Sequence, residues 1–462
     1  MFEDSIKQAV ETFRGLNARV VRIIGNQDSD GVAAVSILIK ALQREKIKFV
    51  ASIVRQVNKK LINELKNESY DVFFFCDIGS RNISLIEELG RPVFVFDHHV
   101  PENKETGVVH INPYLHGVSG LREASAAGVA YIFARELNEL NKSEAYLAVV
   151  GAIGDAQENH GFSGINQDVL DEAIVSGKLN VVQDLRIFGM QTKPLHKVFE
   201  YTTSPYIPGV TGDERSAIKF LEDAGIKVKD SGGKFRRLRD LNETEIKNLI
   251  TAVATRRFGS DDSDELYGPV YIITDEDEDS MTRDAREFSS LLNCCVRMNK
   301  AGLAIGTCLG NKVCKEMAIS LNKQYLTDLI RALDWFYRNR GKEAVKENGC
   351  YVLINAEENV SDQIIGTLCS LISRSNVYDD GILVIGLAHG LDDSTKISAR
   401  IGGANKKGLN AAEILNNVVK DLGGYSGGHS FAAGATIKQE KEQEFIKNTV
   451  GILDKLAVQE AA

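Results

Sequence analysis

Short apolar runs and amphipathic stretches take turns along the first 155 residues of the chain. The runs ARVVRIIG (18–25), KFVASIV (48–54), YDVFFFCDIG (70–79) and RPVFVFD (91–97) have the length and the β-branched or aromatic content of strands. Between them, residues 31–45, 58–68 and 81–90 carry apolar positions at helical spacing. Strands that are apolar at consecutive positions are buried on both faces. The rhythm therefore predicts βαβ units and a parallel sheet with helices on either side. Two further helices are expected at 124–140 and 143–153.

After about residue 195 the rhythm weakens, and turn formers gather in TTSPYIPGVTGDE (202–214), which marks a boundary. It resumes near the end with YVLINAE (351–357), a helix at 362–374, GILVIGLA (381–388), TKISARIGG (395–403), a helix at 409–421 and GGYSGGHSFAAGATI (423–437). The expected fold is α/β: an N-terminal parallel-sheet domain over 1–195, a middle region over 196–345, and a C-terminal α/β domain over 346–462. A length of 462 residues also exceeds what a single core usually organises.

Composition narrows the class. A hydrophobic share of 43% and a charged share of 26% are those of a globular chain. No run reaches about 18 apolar residues, and the amphipathic, partly acidic start MFEDSIKQAVETFRG does not read as a signal peptide, so a cytoplasmic protein without membrane attachment is expected. The seven cysteines form no C-x-x-C pair, which suits a reducing compartment. Cys294, Cys295, Cys308 and Cys314 fit no common zinc spacing and read as core thiols. A net charge of −9 excludes coating nucleic acid with the whole surface, yet leaves room for a local basic groove or for anion binding through cations. The basic cluster Lys234, Arg236, Arg237 and Arg239, and the acidic run from Asp275 to Asp279, read as solvated faces.

Candidate chemistry falls at strand ends. Ligands of an open parallel sheet gather where the carboxyl ends of the strands meet loops. Asn26, Asp28 and Asp30 follow the first strand in GNQDSDG, Asp77 closes the third in FFFCDIGS, and Asp97, His98 and His99 close the fourth in FVFDHHV. Asp155 ends an apolar run in AVVGAIGDAQENHGF. Each has a plain structural use: helix N-caps for Asp28 and Asp30, an Asx turn for Asp77, loop positions for the histidines. Gathered on one edge, however, several carboxylates would repel one another strongly unless a cation neutralised them. Carboxylate and imidazole ligands without thiolate favour manganese or magnesium over zinc. Four loops can supply two such ions, and a metal pair suits in-line displacement at phosphorus, so phosphoester hydrolysis is the expected reaction. The chain has no G-x-x-x-x-G-K-[ST] P-loop and no dinucleotide fingerprint after a strand.

In the C-terminal part, Ser426-Gly427-Gly428-His429 leads into Phe431 and AAGA (432–435). It reads as a glycine-rich turn whose amides can approach a phosphate, with His429 as a donor, or as a structural loop. Arg400, inside the apolar stretch KISARIGG, needs an anionic partner, either a carboxylate of the fold or a substrate phosphate.

Taken in order, Asp28-x-Asp30-Gly31, Asp77, Asp97-His98-His99, Gly154-Asp155, Ser398-x-Arg400 and GGHSFAAGA (427–435) resemble the DHH phosphoesterase superfamily with its associated DHHA1 domain. SPYIPGVTGDE, LLNCCVRMNKAGLAIGTCLG and the chain length resemble archaeal RecJ-like nucleases of the GINS-associated type. The resemblance implies a site with two divalent metal ions, Mn2+ or Mg2+. Asp77 would bridge them, Asp28 would hold one, and Asp30, His98 and Asp155 would hold the other. Asp97 would orient a histidine, and His99 would stand by the scissile phosphate as a donor to the leaving group or a phosphoryl oxygen. Arg400, Gly427, Gly428 and His429 would hold substrate phosphate. One position departs from the pattern: family members usually carry His or Asp where this chain has Asn26, and an amide is a poorer ligand, so Asn26 is expected to hold metal only weakly.

The activity so implied is that of a RecJ-like exonuclease on single-stranded DNA or RNA, in DNA replication or repair. Two other readings remain: a phosphodiesterase for short oligonucleotides or cyclic dinucleotides, and a replication scaffold that binds the GINS complex with little catalysis.

Overall fold

Neighbouring residues of a strand face opposite sides of its sheet, and in the first sheet both sides lead into a core. The computed structural model describes residues 2–102, 106–159, 161–202, 207, 209–256, 267–374, 377–378, 381–391, 393–403, 405 and 408–461, with the backbone alone beyond 453. Strands β1 (Val20–Asn26), β2 (Lys48–Val54), β3 (Val72–Cys76), β4 (Val93–Phe96) and β5 (Val109–Ile111) form a parallel sheet in the order β2-β1-β3-β4-β5. On one face Phe74, Phe94 and Phe96 pack against Phe13 and Phe133 from helices Phe2–Gly15 and Ala126–Leu137. On the other, Phe73, Phe75, Val93 and Val95 meet Ile62, Leu65, Ile83 and Ile86. The strands and helices expected over this part are present, their ends shifted by a few residues. Strand β5 was not legible: it has three residues and only Ile111 is fully buried, too little for a period to show.

The chain groups into two compact units, Met1–Thr202 with Asp213–Asn322, and Thr203–Gly212 with Lys323–Ala462. Residues 196–345, expected to stand apart as a middle region, are thus shared between the two. The physical reason is pairing and packing across residue 195. Strand β6 (Leu179–Leu185) pairs antiparallel with β7 (Tyr267–Ile273). Helices Ala285–Arg297 and Ala301–Cys308 bury Leu291, Leu292, Cys295 and Cys308 in the core that holds Val32 and Ala33. Burial pushes the thiols of Cys294, Cys295 and Cys308 up to about 12, as befits inert core residues. In the turn-rich segment 202–214, residues 203–206 and 208 lie outside the described residues.

The basic cluster and the acidic run, expected to be solvated faces, keep much of that exposure, and two members of the cluster, Arg237 and Arg239, also pair with the run. Arg237 binds Asp279, and Arg239 reaches Glu278 at 2.6 Å and Asp279 at 3.3 Å. Lys178 and Lys315 take Asp275 and Glu276, while Arg236 pairs with Glu245 at 2.7 Å. Arg239 lies 39 and 40 residues from its two acidic partners and Lys178 lies 97 from Asp275, separations that no local pattern reveals.

The second unit holds β8 (Val345–Glu347), β9 (Tyr351–Asn355), β10 (Leu383–His389), β11 (Ser394–Ile401), β12 (Tyr425–Gly428) and β13 (Ala432–Lys438). Their order is β12-β13-β11-β10-β9-β8, with β9 and β10 parallel and every other pair antiparallel. Helix Ala411–Val419 packs Ile414, Leu415 and Val418 on this sheet. The segment read as a glycine-rich turn is a hairpin: Gly427 faces Gly434, Gly428 faces Ala433, and the His429 N–H donates to Ala432 O at 2.8 Å. No helix among the described residues is long and apolar enough to cross a membrane.

One buried acid pair gives the first unit a pH-dependent stability. Glu287, 1% exposed, accepts from Thr192 Oγ1 at 3.0 Å, and Asp284 caps the same helix through the N–H groups of Arg286 and Glu287. Burial, then repulsion from Asp284, pushes Glu287 up to about 8 from its ordinary 4.5. The folded state therefore binds the Glu287 proton more tightly than the unfolded chain does. This contribution is complete below pH 4.5 and is lost as pH rises through about 8. The urea midpoint of wild type should fall across that window, and Glu287→Gln should flatten the fall; equal slopes for the two proteins would acquit Glu287.

Candidate metal centre

The strand order sets the position of the site. From β1 the chain moves to one side of the sheet for β2 and to the other for β3, so the carboxyl ends of β1 and β3 border a topological switch point. The loops leaving β1, β3 and β4 bring Asn26 to Gly31, Asp77, and Asp97 to His99, and helix Ala145–Gly154 delivers Asp155 at its end.

Each acid is held by its own local device. Asp28 caps helix Ser29–Arg44, accepting the Gly31 N–H at 2.8 Å. Asp30 is fully buried and accepts the N–H groups of Ala126 and Ala127 at 2.7 and 3.0 Å, at the start of helix Ala126–Leu137. Asp77 has a left-handed backbone with φ +59°, a conformation costing on the order of 1–3 kcal/mol without glycine. It is fixed by its N–H, which donates to Phe96 O at 2.8 Å. Two glycines let helix Ala145–Gly154 come close: a Cβ on Gly151 would stand 2.5 Å from Asp30 Oδ1, and one on Gly154 would stand 1.9 Å from Ser29 Oγ.

The two histidines point by different means. His98 is buried, and its Nδ1 donates to Gly120 O at 2.6 Å, which directs Nε2 to Asp77 Oδ1 and Asp155 Oδ2, each 3.2 Å away. Asp30, Asp77, His98 and Asp155 then each offer a ligand atom within 4.8 Å of the others. Asp77, Asp97, His98 and His99 form an overlapping group. Asp97, however, is already occupied: Oδ1 accepts from His98 N, His99 N and His99 Nδ1 at 2.8, 3.2 and 2.8 Å, and Oδ2 accepts from Ser80 N at 2.8 Å. Its geometry is that of a support for the histidine loop.

Burial sets the electrostatics. It pushes Asp77 well above the carboxylate range, with the charge of Asp28 adding to the shift, and it raises Asp30 to about 7 and Asp28 in the same direction. On Asp97 burial also acts upward, but the His99 hydrogen bond and the charges of both imidazoles outweigh it and hold that carboxyl below its usual range. Burial opposes a charged His98, yet Asp155 and Asp77 prevail and raise its pKa. The cluster therefore calls for positive charge. Asp77 Oδ1 is buried and has no hydrogen-bond partner; its near neighbour is His98 Nε2, 3.2 Å away as an ion pair. A divalent cation among Asp30, Asp77, His98 and Asp155 would meet that demand, and oxygen and imidazole donors without thiolate suit manganese or magnesium.

Supporting residues came from places the motifs did not mark. Gln157, 5% exposed, donates to Gly120 O at 3.0 Å and Ala124 O at 3.3 Å, steadying the carbonyl that orients His98. Asn293 Oδ1 accepts from Ser29 N, and Gln27 Nε2 donates to Val296 O, both at 2.9 Å, so helix Ala285–Arg297 grips the first loop. Asn112 donates to His99 O at 2.8 Å. A polar residue inside LLNCCV was the one signal pointing to Asn293.

In the second unit, Arg400 and His429 line a cavity of about 340 Å3 together with Ser370, Arg374 and Phe431. The Arg400 guanidinium is held by Ser370 Oγ at 3.0 Å and by the carbonyls of Ala399 and Ala433 at 2.7 and 3.0 Å. Gly427 and Gly428 belong to β12 and are not among the lining residues.

Comparison with known proteins finds three matching domains: the DHH family N-terminal domain over residues 20–152, the DHH-CID domain over 187–264 and the DHHA1 domain over 348–453. The uncharacterized protein MJ0831 of Methanocaldococcus jannaschii is 30% identical over 442 residues, 94% of this chain and 93% of that one. An exonuclease RecJ solved with manganese bound superposes with a TM-score of 0.61 at 18% identity, over 98% of this chain and 94% of that one. CDC45 from Entamoeba histolytica superposes with a TM-score of 0.69 at 13% identity, over 97% and 98%.

Gln157→Leu should leave the fold intact and weaken Mn2+ binding by about 10- to 100-fold, as loss of a ligand's support usually does. Calorimetric titration checks this; an unchanged Kd would remove Gln157 from the support of His98.

Proposed function

Because the chain belongs to the DHH/DHHA1 family of RecJ-like proteins, we propose that it is a metal-dependent phosphodiesterase that shortens single-stranded nucleic acid. The observation that carries this reading is Asp77 Oδ1, buried and without a hydrogen bond, in a preassembled group with Asp30, His98 and Asp155.

Those four residues would hold a divalent cation, which when bound would acidify a water molecule and offset charge on the phosphoryl oxygens. Asp97 takes the Nδ1–H of His99, so Nε2 is the atom His99 offers outward, from a side chain 32% exposed. Placed so, His99 in its imidazolium form, with a proton on Nε2 as well, can pass that proton to the departing oxygen or donate it to a phosphoryl oxygen. In the second unit, Arg400, Arg374 and His429 present cationic and donor groups suited to phosphate, and Phe431, 42% exposed, offers a ring face. An unpaired base can stack on such a face, whereas a base within a duplex has both faces covered, which favours single strands.

The second reading, a scaffold with little catalysis, is favoured by Asn26, a neutral amide at a position where a metal ligand was expected. The two part company in one assay. With Mn2+ present, Asp77→Ala should slow nucleotide release from a long single strand by about a thousandfold. His99→Ala should slow it by about 100-fold or more while leaving Mn2+ affinity unchanged. Equal inertness of wild type and Asp77→Ala would favour the scaffold, and faster turnover of dinucleotides than of long strands would move the substrate to short oligonucleotides.

A further inference from the structure

The two-ion arrangement implied by resemblance needs a second set of ligands around Asp28 and Asp77, and the structure shows what occupies that place. Asn26 Nδ2 donates to Asp28 Oδ2 at 2.8 Å and to Asp77 Oδ2 at 3.0 Å. One carboxamide nitrogen thus spends both its hydrogens on the two carboxylates that would share the second cation. We infer that this chain binds a single divalent ion, held by Asp30, Asp77, His98 and Asp155, and that the Asn26 carboxamide stands in for the other. The inference rests on the metal-dependent reading above and narrows it.

Three observations fix the amide in this role. Its Oδ1 accepts the Gln27 N–H at 2.8 Å, so turning the group over would lose that bond, oppose two N–H donors and set an oxygen against two carboxylates. The loop cannot shift to free it: Gln27 is tied to Val296 O at 2.9 Å, Ser29 N to Asn293 Oδ1 at 2.9 Å, and Gly31 sits so close that a Cβ there would stand 2.6 Å from Asn26 O. The remaining acids offer no substitute. Asp97 is committed to the histidine loop, with three N–H donors on Oδ1 and the Ser80 N–H on Oδ2, and Asp28, itself one of the two acids at this place, joins neither group of convergent ligands among the described residues.

The amide and a cation answer the same need in different ways. A cation at this place would require a third ligand from position 26, which a carboxylate or imidazole can give through a lone pair. The Asn26 oxygen that could serve is turned away, and its nitrogen has no lone pair to offer. The neighbouring group lacks such a donor: Asp77 Oδ1 remains without a hydrogen bond. Within one cluster, then, one oxygen of Asp77 is satisfied by the chain itself and the other is left for an ion.

Equilibrium dialysis of the full chain against excess Mn2+, followed by elemental analysis, tests this, with electron paramagnetic resonance as a second readout. Wild type should retain one Mn2+ per chain and show an isolated-ion spectrum. Asn26→Asp and Asn26→His should each retain two and show spin coupling between them. Two bound ions in wild type would overturn the inference while leaving the proposed chemistry standing. One ion in wild type and in both folded variants would also overturn it, since the amide would then not be what excludes the second. No bound Mn2+ in wild type would instead defeat the metal-dependent reading on which the inference rests. Should both variants fail to fold, the wild-type spectrum alone still decides between one ion and a coupled pair.

Discussion

Like charges brought together out of water are the constraint from which this site takes its form. Asp28, Asp30 and Asp77 are gathered at the ends of two adjacent strands, with Asp155 beside them, and at such distances carboxylates repel unless something positive stands between them. The fold supplies part of that positive character from the backbone. Helix Ser29–Arg44 begins at Asp28, and helix Ala126–Leu137 turns its first N–H groups onto both oxygens of Asp30, so two helix N-termini face the acids with their partial positive charge. Asn26 supplies two further hydrogens. What is left over is concentrated on one oxygen of Asp77 and on the space between it, His98 and Asp155.

The Asp-His-His triplet divides the remaining work by position alone. Asp97 is the most heavily hydrogen-bonded acid of the group and keeps its charge, because donors surround it. His98 turns inward, with one nitrogen on a carbonyl and the other toward the acids. His99 turns outward, with the same nitrogen assignment: Nδ1 on Asp97 and Nε2 available. Two adjacent residues of one chemistry thus anchor through the same ring atom and receive different tasks from where each anchor lies.

Much of this was legible in the sequence because strong local signals agreed with one another. Runs such as VFFFC and VFVF can only be buried strands, and acids placed directly after them can only lie at the carboxyl edge. The unreadable parts share a different physics. Strand β5 is too short to show a period, and the Gly427–Gly428 segment was taken for a turn because glycine permits a turn without requiring one. The pairing of Arg237 and Arg239 with Glu278 and Asp279 depends on tertiary proximity. Asn26 was noticed as a departure, but sequence could describe it only as a poorer ligand. That its hydrogens face the carboxylates follows from the Gln27 N–H taking its oxygen, which is a matter of geometry.

Asn293 bears on what makes up the half of the molecule that carries the acidic cluster. A chain read only by its motifs would end the first domain near residue 195, since every acid of the site lies before it. Yet the loop carrying Asn26 and Asp28 is anchored by Asn293 and the Val296 carbonyl, and the core beneath it is completed by Leu291, Leu292 and Cys295. Strand β6 likewise finds its partner in β7, about 90 residues further on. A fragment stopping at 195 would uncover the part of helix Ser29–Arg44 that packs on helices Ala285–Arg297 and Ala301–Cys308, and would leave the Ser29 N–H without its acceptor. The motifs mark where the chemistry is, and residues 213–322 are part of what holds it in place.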